Sequence, residues 1–293
     1  MGDSVGDMSG KVVVITGGNV GIGKEAAVGL ATQGARVVIT SRNEERGRAA
    51  RDEIVERSGN ADVDVMPLDL ASFRSIRSFA NDFLTRHDRL DVLVNNAGLI
   101  LRRRTETDDG FEATFGINHV GHFLLTDLLL DRLKASAPAR VVVVASMAHK
   151  GARRGLDFDD LESERRYRWM DAYNKSKLAN IYFARELSRR LDGTGVTVNV
   201  LHPGFVRSDF GRSGDLGLVY GFGIRLGAPF AISSERGART TIYLASSPEV
   251  EGVTGAYFFK CKPAPVSKAA QDDDAARRLW EMTERLVSSV PAT

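Results

Sequence analysis

The sequence predicts an α/β fold with a doubly wound parallel sheet and helices on both of its faces. Short apolar segments, rich in valine and isoleucine, alternate with amphipathic segments along most of the 293 residues. Segments of that composition suit strands that are buried on both faces of a parallel sheet. Parallel neighbours need crossover connections, and the amphipathic segments are long enough to be the crossover helices.

The elements follow one another in a regular order. We predict about seven strands, at residues 12–15, 37–39, 63–66, 90–94, 141–144, 196–201 and 256–259. Between them we predict helices at residues 24–30, 44–57, 72–86, 110–135, 171–191 and 234–245.

The chain is long enough for one sizeable core, and its composition does not require a second. Residues 1–9 are polar and contain glycine, so we expect a flexible N-terminal tail before a single domain over residues 10–262. Pro263 and Pro265 mark a linker at the start of the last segment, residues 263–293. That segment continues into a predicted helix with an apolar stripe, which we expect to dock on the domain.

Composition and charge exclude several classes of protein. The formal net charge of +2 is too small to indicate a nucleic-acid surface. The single cysteine, Cys261, excludes an internal disulfide and suits a reducing compartment. No run approaches the ~18 apolar residues of a membrane span, and no group of histidine, cysteine and carboxylate residues has metal-ligand spacing. We therefore expect a cytoplasmic protein without a nucleic-acid partner, an integral membrane segment or a metal.

A glycine-rich turn joins the first strand to the first helix, in the run Thr16-Gly-Gly-Asn-Val-Gly-Ile-Gly23. Such a turn leaves backbone N–H groups unpaired beside the positive end of a helix, where a pyrophosphate can bind. An ordinary glycine-rich turn is the alternative, because the spacing departs from the better-known Gly-x-Gly-x-x-Gly. We assign to dinucleotide binding Gly17, Asn19, Val20, Gly21, Ile22 and Gly23.

The end of the second strand indicates which dinucleotide binds. An NAD site places a carboxylate there for the ribose 2′-hydroxyl, whereas an NADP site needs a cation for the 2′-phosphate. Here Ser41 holds the position and Arg42 follows it. A guanidinium beside a hydroxyl favours NADP(H) over NAD(H). In the alternative, Glu44 and Glu45 bind the ribose and Arg42 merely pairs with them.

Small and polar residues also follow the later strands. Ligands of doubly wound sheets bind outside the carboxyl ends of the strands, so these residues are expected to share one crevice. They are Asp69 and Leu70 after strand three, Asn96, Ala97 and Gly98 after strand four, Ser146 after strand five, and Pro203 and Gly204 after strand six.

Four residues are candidates for catalysis. Tyr173 and Lys177 stand four apart on a predicted helix, so an ammonium can lower the pKa of the phenol and make it a usable acid or base. Taken alone, such a pair is more often an exposed helix pair. Ser146 could hydrogen-bond a substrate oxygen. Asn118 lies in a helical stretch that Gly116 and Gly121 interrupt, which indicates a local kink.

Together these motifs resemble the short-chain dehydrogenase/reductase family, in order and over roughly residues 10–260. The resemblance implies a Rossmann fold with strand order 3-2-1-4-5-6-7. It assigns the catalytic acid/base to Tyr173, the lowering of its pKa and the nicotinamide ribose to Lys177, and the substrate carbonyl to Ser146. It also implies that Asn118 completes a water-linked proton relay, and that Val206 and Ser208 join the cofactor site.

More narrowly, the chain is similar to the retinol-dehydrogenase-like branch of that family. Thr40-Ser-Arg42 and Tyr173-Asn-Lys-Ser-Lys-Leu-Ala-Asn180 carry this resemblance, and Ser146 and Tyr173 stand 27 positions apart, which also fits. The extra residues, about 151–170, are expected to lie over the site. Members of the branch use NADP(H) on apolar aldehydes, ketones and alcohols. The membrane-bound members begin with a hydrophobic anchor, whereas residues 1–9 here are polar, so we do not expect membrane retinoid metabolism.

The sequence thus predicts an NADP(H)-dependent oxidoreductase that interconverts an apolar aldehyde or ketone and its alcohol. Residues 211–232 mix large apolar side chains with glycines, which suits either a mobile lid over an apolar substrate or a contact surface. An NADPH-binding sensor or scaffold without turnover is the alternative function. A sugar-nucleotide epimerase also uses a Tyr-xxx-Lys pair, but needs a longer C-terminal region. The family implies a homodimer or homotetramer.

Overall fold

The computed structural model describes residues 6–206 and 231–290, and it contains an eight-stranded sheet in the order β3-β2-β1-β4-β5-β6-β7-β8. Strands β1 to β7 pair in parallel, so the predicted order is confirmed. The eighth strand was not predicted, and it pairs antiparallel with β7 at the sheet edge. The strands are β1 Val12–Ile15, β2 Arg36–Ser41, β3 Val63–Pro67, β4 Val92–Asn95, β5 Ala139–Val144, β6 Val196–Leu201, β7 Tyr257–Phe259 and β8 Lys262–Pro263.

Helices cover both faces of this sheet, as the Rossmann fold requires. One buried cluster joins α1, α2 and α6 to one face, and a larger cluster joins α3, α4, α5 and α7 to the other. The α-helices are α1 Gly21–Thr32, α2 Glu44–Ser58, α3 Phe73–Arg86, α4 Gly121–Ala135, α5 Trp169–Arg190, α6 Ser234–Ser246 and α7 Asp273–Ser289.

The helix predicted over residues 110–135 is broken in the structure. One short turn, Ala113–Phe115, leads into a π turn, Gly116–Val120, before α4 begins. The predicted interruption is therefore present, and its glycines allow close packing. A Cβ on Gly121 would lie 2.6 Å from the Leu70 carbonyl oxygen, and one on Gly116 would lie 2.7 Å from the Thr107 methyl carbon. The π turn carries Asn118.

Both ends of the described chain pack on the domain. Met8, in the segment predicted to be a flexible tail, is 5% exposed, and its N–H donates to the Gln33 carbonyl 2.9 Å away. At the other end, the Trp280 ring of α7 lies 4.7 Å from Phe123 and 5.9 Å from Phe183, centroid to centroid. Of the segment 211–232, only Ala231 and Ile232 fall within the described residues, and Ser208 falls outside them.

Candidate active site

The turn between β1 and α1 has the shape that an anionic ligand needs. Gly17 and Gly21 adopt φ of 62° and 54°, a region that favours glycine. A Cβ on Gly23 would lie 2.5 Å from both the Asn96 amide nitrogen and the Gly17 carbonyl oxygen. Helix α1 begins at Gly21 without a side-chain cap and without an acid in its first turn. Its positive end and N–H groups therefore fit the pyrophosphate of a dinucleotide.

Thr16 fixes this turn to the end of β4. Its hydroxyl oxygen accepts the N–H of Asn96 at 2.8 Å and the N–H of Ala97 at 2.9 Å. The Asn96 amide donates in return to the Thr16 carbonyl at 2.8 Å. Sequence reasoning did not assign Thr16 to the site, because these partners lie about 80 positions away. The hydroxyl makes the floor of the crevice one hydrogen-bonded unit.

A cleft of about 670 Å³ opens at the carboxyl edge of the sheet. Of the site residues predicted within the described chain, all but Asn118 line it, from the glycine turn to the Tyr173 and Lys177 pair. Those residues are Gly17, Asn19, Val20, Gly21, Ile22, Gly23, Ser41, Arg42, Asp69, Leu70, Asn96, Ala97, Gly98, Ser146, Tyr173, Lys177, Pro203, Gly204 and Val206.

Arg42 presents an exposed guanidinium at one end of the cleft. Glu44 pairs instead with Arg48, at 2.5 Å between oxygen and nitrogen. Among residues 6–206 and 231–290, the structure gives Arg42 no ion pair with Glu44, Glu45 or any other carboxylate. Ser41 is 5% exposed, and its hydroxyl donates to the Asn43 carbonyl at 2.8 Å. The charge available to a ligand at this strand end is therefore positive.

Tyr173 and Lys177 meet on the first turns of α5. The Lys177 ammonium nitrogen lies 5.8 Å from the centroid of the Tyr173 ring and donates to the Val144 carbonyl at 3.2 Å. Lys177 is 3% exposed, and this burial lowers its pKa from 10.5 to about 8. Burial disfavours the ammonium in its own right, so a phenolate or a phosphate nearby would stabilise it.

Ser146 lies at the carboxyl end of β5, where its hydroxyl accepts the Ala148 N–H at 3.1 Å. His149, one turn on, is fully buried, and its Nδ1 donates to the Ser146 carbonyl at 2.7 Å. The other ring nitrogen, Nε2, accepts the Ser267 N–H at 3.3 Å. Burial lowers the pKa of His149, which favours the neutral ring that this pairing needs. Sequence reasoning did not assign His149 to the site, because its burial and its contact with Ser267, 118 positions away, depend on the tertiary structure.

Asn118 lies behind the cleft and not in its wall. Its side chain is fully buried. The amide exchanges two hydrogen bonds with the backbone of Leu99, at 2.8 and 2.9 Å, and donates to the Ser176 hydroxyl at 3.0 Å. The Ser176 hydroxyl donates in turn to the Tyr173 carbonyl at 2.9 Å. The Asn118 amide therefore holds the first turn of α5 against the chain that follows β4.

The end of the cleft beyond Tyr173 is apolar. Met147, Met170 and Phe205 line it and remain 52%, 38% and 49% exposed. The segment before Met170 is tied down where the Tyr167 hydroxyl donates to the Leu101 carbonyl at 2.7 Å. An apolar surface held open in this way fits an apolar ligand. Further apolar lining comes from Leu99, Ile100, Leu101 and Ile117.

No group of three histidine, cysteine or carboxylate side chains that could hold a metal occurs within residues 6–206 and 231–290. In the same part of the chain, no helix combines the length and apolarity that a bilayer crossing requires.

The family model described as short chain dehydrogenase matches residues 11–157. This match spans the glycine turn, Asn118 and Ser146, and so covers about half of the chain. The chain belongs to the short-chain dehydrogenase/reductase family. The two remaining candidates for catalysis, Tyr173 and Lys177, follow in the part of α5 that faces the same cleft.

Curated members of the short-chain dehydrogenase/reductase family are similar along nearly the whole chain. Human retinol dehydrogenase 14 is 47% identical over 98% of this chain and 89% of its own length. Human retinol dehydrogenase 12 is 47% identical over 95% of this chain and 86% of its own length. Human retinol dehydrogenase 13 is 45% identical, over 95% and 85% of the two chains. The chain is therefore a retinol-dehydrogenase-like member of the family.

Solved structures agree with the architecture. An uncharacterised protein from Mycobacterium paratuberculosis has a TM-score of 0.77 and 34% identity, over 97% of this chain and 96% of that one. The RhlG protein of Pseudomonas aeruginosa, solved as an active-site complex with NADP, has a TM-score of 0.69 and 28% identity, over 88% and 97%. A nicotinamide dinucleotide is thus the cofactor class of this family member.

Proposed function

We propose that this protein is an NADP(H)-dependent oxidoreductase that interconverts an apolar aldehyde or ketone and its alcohol. One observation carries the proposal: Ser146, Tyr173 and Lys177 line the same cleft as the glycine turn. A protein that only senses a dinucleotide needs the turn and Arg42, whereas an acid/base pair beside them is useful only for turnover. This contrast favours an enzyme over the sensor or scaffold.

The side chains of this protein have one chemical task in the proposed reaction, which is proton transfer at the substrate oxygen. A bound nicotinamide dinucleotide supplies or accepts the hydride. In the reductive direction, the Tyr173 hydroxyl gives its proton to the carbonyl oxygen, and a phenolate remains. The Lys177 ammonium stabilises that phenolate, and the Ser146 hydroxyl orients the substrate oxygen. In the oxidative direction, the phenolate takes the proton from the alcohol.

Asn118 contacts the proposed acid/base indirectly, from outside the cleft. Its amide holds Ser176, and Ser176 holds the backbone of Tyr173. We therefore infer that Asn118 positions Tyr173 through its amide, which is engaged with Leu99 and Ser176.

The choice of NADP(H) over NAD(H) is supported by Arg42. Its guanidinium lines the cleft at the end of β2, where the ribose 2′-position lies in this fold, and Glu44 is occupied by Arg48. The apolar substrate is supported by Met147, Met170 and Phe205 at the cleft end. The names of the relatives, retinol dehydrogenases, agree with an apolar alcohol or aldehyde.

The experiment is a panel of apolar and polar carbonyls and alcohols, assayed by dinucleotide absorbance with NADPH and NADH. We expect turnover with NADPH and an apolar aldehyde. Arg42→Ala should weaken NADPH binding by about 10- to 100-fold, the value of charge-assisted hydrogen bonds to a phosphate, and leave NADH binding unchanged.

Arg46→Ala is the matched control, because Arg46 is also exposed and stands four positions after Arg42, but does not line the cleft, and its loss leaves the Glu44 and Arg48 pair intact. It should leave both affinities unchanged. Unchanged NADPH affinity in Arg42→Ala would refute the cofactor assignment, and a purified protein inactive on the whole panel would favour the sensor.

A further inference from the structure

We propose that His122 is a positioning residue that couples the dinucleotide-binding turn to Asn118 and, through it, to Tyr173. The inference rests on the proposed function, because it concerns the placement of the proposed acid/base. His122 is the second residue of α4, which follows the π turn directly, and it is 3% exposed. It does not line the cleft.

The ring of His122 spans the two halves of the site. Its Nε2 lies 2.9 Å from the Thr16 hydroxyl oxygen, and its Nδ1 lies 3.2 Å from the Asn118 carbonyl oxygen. Thr16 is the residue that fixes the glycine turn to Asn96 and Ala97. One imidazole therefore touches the anchor of the dinucleotide turn and the backbone of the residue that holds α5.

The partners determine which nitrogen carries the proton. A carbonyl oxygen only accepts, so Nδ1 of His122 must donate to Asn118. Burial lowers the pKa of His122 to about 4, so the ring is neutral at physiological pH and Nε2 is an acceptor. The Thr16 hydroxyl therefore donates to Nε2 at 2.9 Å in preference to the Val94 carbonyl, which lies farther away at 3.3 Å. Its oxygen accepts from the two backbone N–H groups. Only the neutral tautomer with the proton on Nδ1 makes both hydrogen bonds of the His122 ring, the one to Asn118 and the one from Thr16.

The connection continues from Asn118 to the acid/base. The Asn118 amide donates to the Ser176 hydroxyl at 3.0 Å, and that hydroxyl donates to the Tyr173 carbonyl at 2.9 Å. An unbroken series of hydrogen bonds thus runs from Thr16 to the backbone of Tyr173. Loss of the His122 ring frees Asn118 at one end and Thr16 at the other, so the reacting groups lose their mutual placement.

His119, in the π turn three positions before His122, offers a matched control. It is 2% exposed, and its Nε2 lies 3.0 Å from the Thr283 hydroxyl of α7. It has no hydrogen bond to Asn118 or to Thr16 among the described residues. Replacing either histidine by phenylalanine keeps an aromatic ring and removes buried hydrogen bonds. Only the His122 change breaks the series that leads to Tyr173.

The test compares His122→Phe, His119→Phe and His122→Asn with the full-length protein. For each we measure the unfolding midpoint, NADPH affinity by fluorescence, and kcat and KM with the aldehyde of the panel that gives the highest turnover. The asparagine variant is the rescue, because its amide can still donate to the Asn118 carbonyl. If His122→Phe does not fold, His122→Asn is the variant that is compared with His119→Phe. Tyr173→Phe is included as the test of the proposed function.

We expect His122→Phe to lower kcat by about 100-fold, as a small misplacement of reacting groups does, and to weaken NADPH binding. His119→Phe should lower only the unfolding midpoint, and His122→Asn should regain part of kcat. Equal kcat and equal NADPH affinity in His122→Phe and His119→Phe would overturn the inference. If Tyr173→Phe retained turnover, the proposed function would be wrong. The NADPH affinities of the two histidine variants would then be the only test of whether His122 positions the dinucleotide-binding turn.

Discussion

Lys177 is an ionisable side chain in a buried position, which disfavours its charged form. The side chain is 3% exposed, its ammonium donates to the Val144 carbonyl, and burial lowers its pKa from 10.5 to about 8. The unfolded chain carries the same ammonium in water at no such penalty. Folding therefore brings this group into an environment that destabilises the protein, and the proposed catalytic role accounts for its presence beside Tyr173.

We expect Lys177→Met to abolish turnover while raising the free energy of unfolding by about 1–3 kcal/mol at neutral pH. The sign follows from the lowered pKa: the penalty is present in full below about 8 and disappears as the pH rises toward 10.5. Urea unfolding at neutral and at alkaline pH measures the difference, which should narrow at the higher pH. A variant less stable than the parent at neutral pH would contradict this.

Site residues differed in how far the sequence revealed them. The glycine turn and the Tyr173 and Lys177 pair were predictable because local spacing places their groups together. Thr16, His122 and His149 were not, because each depends on a partner far along the chain: the Thr16 and His122 contact spans 106 positions, and the His149 and Ser267 contact spans 118. His119 and His122 look alike as a pair in the sequence, yet the π turn directs one to α7 and the other to Thr16.

Among the elements, the strands of the parallel sheet were predictable because burial on both faces demands continuous apolar segments. The edge strand β8 was not, since it has only two residues, both exposed. The turn before it, Lys260 and Cys261, adopts φ of 50° and 60° without a glycine. Two-residue hairpin turns of this kind favour Asn-Gly, so the sequence carried no turn signal here.

Cys261→Gly should therefore stabilise the protein, by about 1 kcal/mol, because it removes a Cβ from a left-handed backbone. The backbone N–H of residue 261, which donates to the Thr240 hydroxyl at 3.2 Å, is retained. Thermal or denaturant unfolding measures the gain. Cys261→Ala is the control, since it keeps the Cβ and should give no increase; an equal increase in both variants would show that the backbone conformation is not the cause.

At the scale of the whole molecule, the site is assembled from distant parts of one chain. The glycine turn begins it, α5 supplies the proposed acid/base, and the segment at 203–206 completes the described cleft wall. Helix α7 supports this assembly from outside: Trp280 packs on Phe123 and Phe183, and Thr283 bonds His119 of the π turn. The apolar stripe of α7 predicted this docking, but not which helices it would cover.

The most direct measurement compares Tyr173→Phe with the parent protein for two quantities, NADPH-dependent reduction of an apolar aldehyde and NADPH affinity. Because the phenol is the proposed proton donor, turnover should fall by about 100- to 10,000-fold. Affinity should stay within about twofold, because the glycine turn and Arg42 are untouched. Turnover that survives in Tyr173→Phe would contradict the assignment of this phenol as the acid/base.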